Sequence, residues 1–164
     1  GWVHLLKQKL GAEGFSHQVV NASVSGETTA GGLARLPVLL DRHKPQMVLV
    51  ELGGNDGLRA LPVPALRKNL EQIVDISRKA GAEPVLFEMR IPENYGATYT
   101  EAFTRAFTDI AKSKKAPLVP FLLARFATDP SAFLDDGIHP SAKAQPVIVE
   151  TIWPFLKPLL GKPM

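Results

Sequence analysis

Two stretches hold the residue types and spacings that could do chemistry. In Asp135-Asp136-Gly137-Ile138-His139-Pro140 a carboxylate, Asp136, stands three residues before an imidazole, His139, with a glycine between them. A tight loop of this kind can bring Asp136 to Nδ1 of His139, fix the tautomer and leave Nε2 as a general base. Pro140 restricts His139 to extended backbone, which holds the ring in one place. The same spacing also suits a surface turn ahead of a helix. The second stretch, Val48-Leu49-Val50-Glu51-Leu52-Gly53-Gly54-Asn55-Asp56, is a short apolar run ending in two glycines, an amide and a carboxylate. It reads as a buried strand that turns sharply and sets Asn55 at its carboxyl end, where open α/β sheets gather their ligands. The Asn55 amide, with the backbone N–H of Gly26 at another turn, supplies neutral donors of the type that stabilise a developing alkoxide in acyl transfer. Asp56 is the better candidate for bracing the turn.

These residues need elements to position them. Apolar spacing predicts a helix over Trp2–Leu10, a strand over Gln18–Ser25 and a helix from Thr28 or Thr29 to Lys44 that contains Pro37. The Val48 strand then runs into a loop, Gly57–Pro62. A helix over Pro64–Ala80, a strand over Pro84–Ile91 and a turn-rich loop over Pro92–Gly96 follow. A helix over Tyr99–Ser113, a short strand over Pro117–Leu123 and a helix over Ser141–Leu160, with Pro146 near its start, complete the chain. Strands alternating with helices argue for a parallel sheet with helices on both faces. The topology would then gather Gly26, Asn55, Ile91 and the Asp136–His139 loop at one sheet edge. Leu58, Leu61, Ile91, Pro92 and Tyr95, in loops leaving the strand ends, are expected to line an apolar substrate channel.

Composition narrows the function classes. The 164 residues suit one domain with its own core. A net charge of +3 with scattered Lys and Arg gives no footprint for nucleic acid. The chain has no cysteine, hence no disulfide, thiolate nucleophile or zinc knuckle. No apolar run approaches the roughly 18 residues of a membrane span, so no stable membrane insertion is expected. His4, His17 and His43 lack metal-ligand spacing, and no cofactor or metal is expected. Gly26-Glu27-Thr28-Thr29-Ala30-Gly31-Gly32-Leu33 begins like a phosphate loop, but Gly32 and Leu33 stand where lysine and a hydroxyl residue would be needed. There is no G-x-S-x-G elbow, since Ser23 has Asn21 at the first glycine position.

Taken together, Asn21-Ala22-Ser23-Val24-Ser25-Gly26, Gly53-Gly54-Asn55-Asp56 and Asp136-Gly137-Ile138-His139-Pro140 resemble three of the four blocks of the SGNH (GDSL-type) hydrolases. Within them the chain is most similar to the arylesterase and multifunctional thioesterase I/lysophospholipase branch. Gly32-Leu33-Ala34-Arg35-Leu36-Pro37, Arg90-Ile91-Pro92-Glu93-Asn94-Tyr95-Gly96 and Ala144-Gln145-Pro146 extend the likeness along the whole chain. The resemblance implies a three-layer α/β/α, flavodoxin-like fold with a parallel sheet of order 2-1-3-4-5. It implies a serine ester hydrolase of aryl, acyl, thio- or lysophospholipid esters, with His139 as base, Asp136 as its orienting partner, and Gly26 and Asn55 in the oxyanion hole. A periplasmic or secreted location and a small-molecule ester substrate go with it.

The Gly-Asp-Ser-Leu block is not in this sequence, and none of Ser23, Ser25, Ser77, Ser113, Ser131 or Ser141 stands in a matching context. Residues 1–164 are therefore expected to be a single hydrolase domain truncated at its N-terminus, without strand 1 and without the nucleophile. An upstream segment or another chain would supply that strand. The alternative is a catalytically dead binding module of the same fold that holds acyl or acetylated ligands.

Overall fold

The computed structural model describes residues 1–162. Helix α1 (Trp2–Ala12) is followed, after an extended stretch, by α2 (Thr29–His43), strand β1 (Met47–Val50) and a short helix α3 (Gly54–Leu58). Then come α4 (Val63–Lys79), β2 (Glu83–Phe87), α5 (Ala97–Ser113), β3 (Leu118–Val119) and, after a long loop, α6 (Gln145–Leu156). The fold is α/β, with helices packed on a small parallel sheet. The described residues fall into two compact units, one of Ala22–Phe121 and one of Gly1–Asn21 with the chain from Leu122 onward.

The sheet lies in the first of these units, with order β1-β2-β3 and every pair parallel. In register, Val50 faces Leu86 and Leu86 faces Leu118. Val50 and Leu86 pack with Leu36 and Leu40 of α2, Leu66, Leu70, Ile73 and Val74 of α4, and Phe103, Phe107 and Ile110 of α5. Val85, Phe87 and Val119 alternate to the opposite face and are fully buried there, so the sheet's centre is covered on both sides, as parallel sheets require. Proline sets the strand limits. The N–H groups of Leu86 and Glu88 point to β3, donating to the carbonyls of Pro117 and Val119. By the two-residue period Pro84 would point the same way, but there β3 has not yet begun, so its missing N–H costs no ladder bond. Pro117 and Pro120 bracket β3 and confine it to two residues.

In the other unit α1 packs on α6. Leu6, Leu10, Ile148, Val149, Ile152 and Leu156 are buried, and Phe15 meets Trp153 edge-on at 6.0 Å between ring centroids. Pro146 falls in the first turn of α6, where a missing N–H is tolerated, and the helix expected from Ser141 begins as a 3-10 turn over Ala142–Ala144 before α6 proper.

Three expectations need correction. Residues Gln18–Ser25 form no strand, and Val20 and Val24 are 55% and 51% exposed. Alternating valines signal a side-chain preference for extended backbone, whereas a strand also needs a ladder with a neighbour. Gly57–Pro62 is not loop from its start, because Gly54–Leu58 is helical. Pro37, which inside a helical run implies a kink or a late start, does not delay α2: the helix begins at Thr29 and runs to Lys44, its left-handed cap. The strands expected over Pro84–Ile91 and Pro117–Leu123 are present but shorter.

Gly53 makes the turn from β1 into α3 possible. Its φ is +115°, a backbone region that side chains disfavour, and a Cβ there would lie 2.7 Å from Cζ of Phe107. Gly53→Ala should therefore cost about 2–4 kcal/mol, combining backbone strain with overpacking. Urea unfolding checks this by a lowered midpoint at unchanged slope.

Candidate active site

The predicted site residues fall into two groups, one in each unit. Within Ala22–Phe121 the structure joins Gly26 to Asn55. The N–H of Glu27 donates to the Val24 carbonyl at 3.2 Å, closing a turn whose third residue is Gly26 with φ +75°. Type II turns demand positive φ there. Nδ2 of Asn55 donates to the Glu27 carbonyl at 3.2 Å. A side-chain amide carries two N–H groups, so this bond orients the second one.

Asp56 braces the arrangement, as its place beside Asn55 suggests. Its carboxylate is 3% exposed, and a buried charge needs donors on its oxygens. Oδ1 accepts from the backbone N–H of Thr29 at 2.8 Å and Oδ2 from the Thr29 hydroxyl at 2.7 Å. Asn69 Nδ2 donates to the same hydroxyl at 3.1 Å. Thr29 is the first residue of α2, so Asp56 ties α3 to the start of α2 at the favourable end of its dipole. Glu27, Thr29 and Asn69 carried no sequence signal for these roles.

Of the residues expected to line a channel, Leu58 and Tyr95 meet within this unit. The Tyr95 hydroxyl donates to the Leu58 carbonyl at 2.7 Å, joining the two loops, and Tyr99 does the same to Leu61 at 2.5 Å. Ile91 lies against Gly57, where a Cβ would sit 2.5 Å from its Cγ2. Pro92 is exposed at the start of the Glu93–Tyr95 turn, and Leu58 is 39% exposed.

In the other unit a hairpin-like loop carries Asp136 and His139. Phe133 pairs antiparallel with Pro140, the Leu134 N–H donates to the His139 carbonyl at 2.8 Å and the Ser141 N–H to the Ala132 carbonyl at 2.7 Å. Oδ2 of Asp136 lies 2.5 Å from Nδ1 of His139, while Oδ1 accepts from the backbone N–H groups of Ile138 at 2.9 Å and His139 at 3.0 Å. Led by the Ile138 N–H and then by the His139 ring, these bonds bring the Asp136 carboxyl down to about 2. Asp136 therefore stays ionised beside the ring, fixing it through Nδ1. The His139 side chain is 71% exposed.

Ser131, nearby in the chain, is not poised as a nucleophile. Its hydroxyl donates to Asp129 at 2.7 Å and accepts from Lys143 Nζ at 2.6 Å, and that lysine also pairs with Asp129 at 3.2 Å. The serine hydroxyl, first of all, holds Asp129 below the usual carboxylate range. Among the described residues no three His, Asp or Glu side chains converge as a metal site would need, and no helix is long and apolar enough to cross a membrane.

The model of the GDSL-like lipase/acylhydrolase family matches residues 1–145. The chain is 48% identical over 160 residues to esterase TesA of Pseudomonas aeruginosa, covering 98% of this chain and 80% of that protein. It is 45% identical over 160 residues to thioesterase 1/protease 1/lysophospholipase L1 of Escherichia coli, covering 98% and 76%. The crystal structure of the psychrotrophic esterase EstA from Pseudoalteromonas sp., inhibited by monoethylphosphonate, superposes with a TM-score of 0.93 at 41% identity, covering 99% of this chain and 88% of that one.

The Asp136 geometry has a direct readout. Because its folded pKa is depressed, the stabilisation from these bonds is fully present above the ordinary carboxylate range and is lost only as pH falls through about 2. A carboxyl ¹³C NMR titration should place the Asp136 midpoint near 2, well below the value of an ordinary aspartate. In Ile138→Pro, which removes one donor, the midpoint should rise.

Proposed function

The chain belongs to the GDSL-like lipase/acylhydrolase family and is a carboxylic ester hydrolase, and we propose that it works through a Ser-His-Asp triad with His139 as general base and Asp136 as its orienting carboxylate. The observation that carries this reading is the 2.5 Å contact of Asp136 with Nδ1 of His139, backed by two main-chain donors on the other carboxylate oxygen. It leaves Nε2 to take a proton. The nucleophile in this reading is a serine outside these residues, on a strand that pairs with β1 and comes from an upstream segment or another chain. In its support, β1 is an edge of the described sheet, with β2 along its other side.

The serine Oγ attacks the acyl carbonyl while Nε2 of His139 takes its proton. The carbonyl π pair moves onto oxygen, where the Gly26 N–H and the second N–H of Asn55 receive the oxyanion. Collapse of the tetrahedral intermediate expels the alkoxide or thiolate, which leaves with the proton from His139. Water activated by the same imidazole then releases the acid from the acyl-enzyme. The relatives' names, esterase and thioesterase 1/lysophospholipase L1, support acyl esters, thioesters and lysophospholipids as substrates, with aryl esters in the same range. Leu58, Leu61, Ile91, Pro92 and Tyr95 line the acyl channel.

In the full-length protein a fluorophosphonate should label one serine, located by peptide mass. Labelling of none would leave only the binding-module reading. His139→Ala should lower kcat by about three orders of magnitude or more, with Asp136→Asn costing somewhat less; near-full esterase activity in His139→Ala would overturn these roles. Leu58→Ala and Tyr95→Ala should shift the ratio of short-chain to medium-chain kcat/KM. An unchanged ratio would mean that these side chains only seal their loops.

A further inference from the structure

Gly26 sits in a segment with little regular structure to hold it. Residues 22–27 belong to neither a strand nor a helix, and Ser23, Val24, Ser25 and Gly26 are exposed. Yet a donor that stabilises charge only in the transition state must be held in place before that charge appears, since a displacement of about 1 Å can cost on the order of a hundredfold in rate. Something outside the segment has to fix it.

One side chain reaches both of its ends. Arg35, on α2, donates from Nη2 to the Ala22 carbonyl at 2.7 Å and to Oε1 of Glu27 at 2.8 Å, and from Nε to Oε2 of Glu27 at 2.7 Å. The two carboxylate bonds form the bidentate fork that a planar guanidinium makes and an ammonium cannot. Glu27 is also the residue whose carbonyl accepts from Asn55. Its stem lies against Gly31, where a Cβ would come within 3.2 Å of Cγ, so the small residues of α2's first turn give it room. Through Glu27 the guanidinium is thus connected both to the Gly26 turn and to the Asn55 amide. The helix that carries it is anchored in turn by the Asp56–Thr29 bonds.

We propose that Arg35 is a positioning residue: by clamping Ala22 and Glu27 it holds the Gly26 N–H and the Asn55 amide at the spacing an oxyanion needs. The catalytic consequence rests on the ester-hydrolase reading above; the clamp itself does not. The side chain of Arg35 is 37% exposed, and ion pairs open to solvent add little to stability. The clamp should therefore matter far more for geometry than for folding, which separates it from an ordinary structural contact.

The test uses the full-length protein with Arg35→Ala, Arg35→Lys and Glu27→Gln. Amide hydrogen exchange at Ser25–Glu27 should speed up at least about tenfold in each, while β1 and the rest of α2 stay protected. On an ester substrate kcat should fall about a hundredfold with KM within about threefold and with Tm nearly unchanged. Arg35→Lys, which keeps the charge but loses the fork, should fall nearly as far as Arg35→Ala, and added guanidinium should restore part of the Arg35→Ala rate where ammonium does not. Unchanged exchange at Ser25–Glu27 overturns the proposal, as does a kcat within threefold of the wild type. A loss of kcat that follows a loss of Tm in all three variants, without rescue by guanidinium, also overturns it. A wild-type protein with no esterase activity would overturn the ester-hydrolase reading instead, and the exchange measurement would still decide the clamp. If Arg35→Ala fails to fold, Arg35→Lys and Glu27→Gln carry the same comparison.

Discussion

A buried carboxylate that forms no ion pair among the described residues is the constraint on which the sheet-bearing unit depends. Asp56 is almost wholly enclosed, and its two oxygens are satisfied by the main-chain N–H and the hydroxyl of one residue, Thr29. Leaving either oxygen unpaired would be expensive in an interior of low dielectric. The start of α2 and the short helix α3 are thereby locked in one register. The residues proposed for the oxyanion site hang from that lock: Asn55 precedes Asp56, Gly26 lies three residues before Thr29, and Arg35 belongs to the helix that Thr29 begins.

The two groups of site residues are built in opposite ways. Gly26 and Asn55 come together through bonds that span 27 or 28 residues, so they need most of their unit folded before they have a geometry. Asp136 and His139 are three residues apart and make their geometry within one loop, from main-chain donors that the loop itself supplies. The first group requires a rigid frame, and the structure provides it through a well-packed core against β1 and β2. The second requires only a closed hairpin base, given by the Phe133–Pro140 pairing and by the Asp129–Lys143 clasp across it.

That contrast explains what could be read from the sequence. The Asp136–His139 pairing was legible because a short loop with a glycine and a following proline leaves few alternatives. The helices α4 and α5 were legible because their apolar positions repeat along one face over 17 residues each. Strand centres were legible and strand ends were not. The end of β3 depends on which side of the ladder Pro117 and Pro120 fall, and that is a property of pairing and not of composition. The Gln18–Ser25 segment misled for the same reason: its valines favour extended backbone but do not name a partner. The helix at Gly54–Leu58 was hidden because paired glycines read as chain breakers, although here one of them is the residue that lets a helix start. Thr29, Asn69 and the Glu27–Arg35 pair were invisible because no period links residues 40, 27 or 8 positions apart.

The closed loop around Asp136 and His139 has a kinetic consequence. Contacts this short in sequence form on the timescale of loop closure, about 10–100 ns, whereas parallel strand pairing waits for long crossovers. The Asp136–His139 contact draws on its own loop alone, so it can form while the sheet is still being assembled. A fluctuation that opens the sheet can part the Gly26 turn from the Asn55 amide and leave the Asp136–His139 contact intact. Any activity that needs both groups would then be lost well before the local order of the Asp136–His139 loop, and regained last when the frame around Asp56 closes.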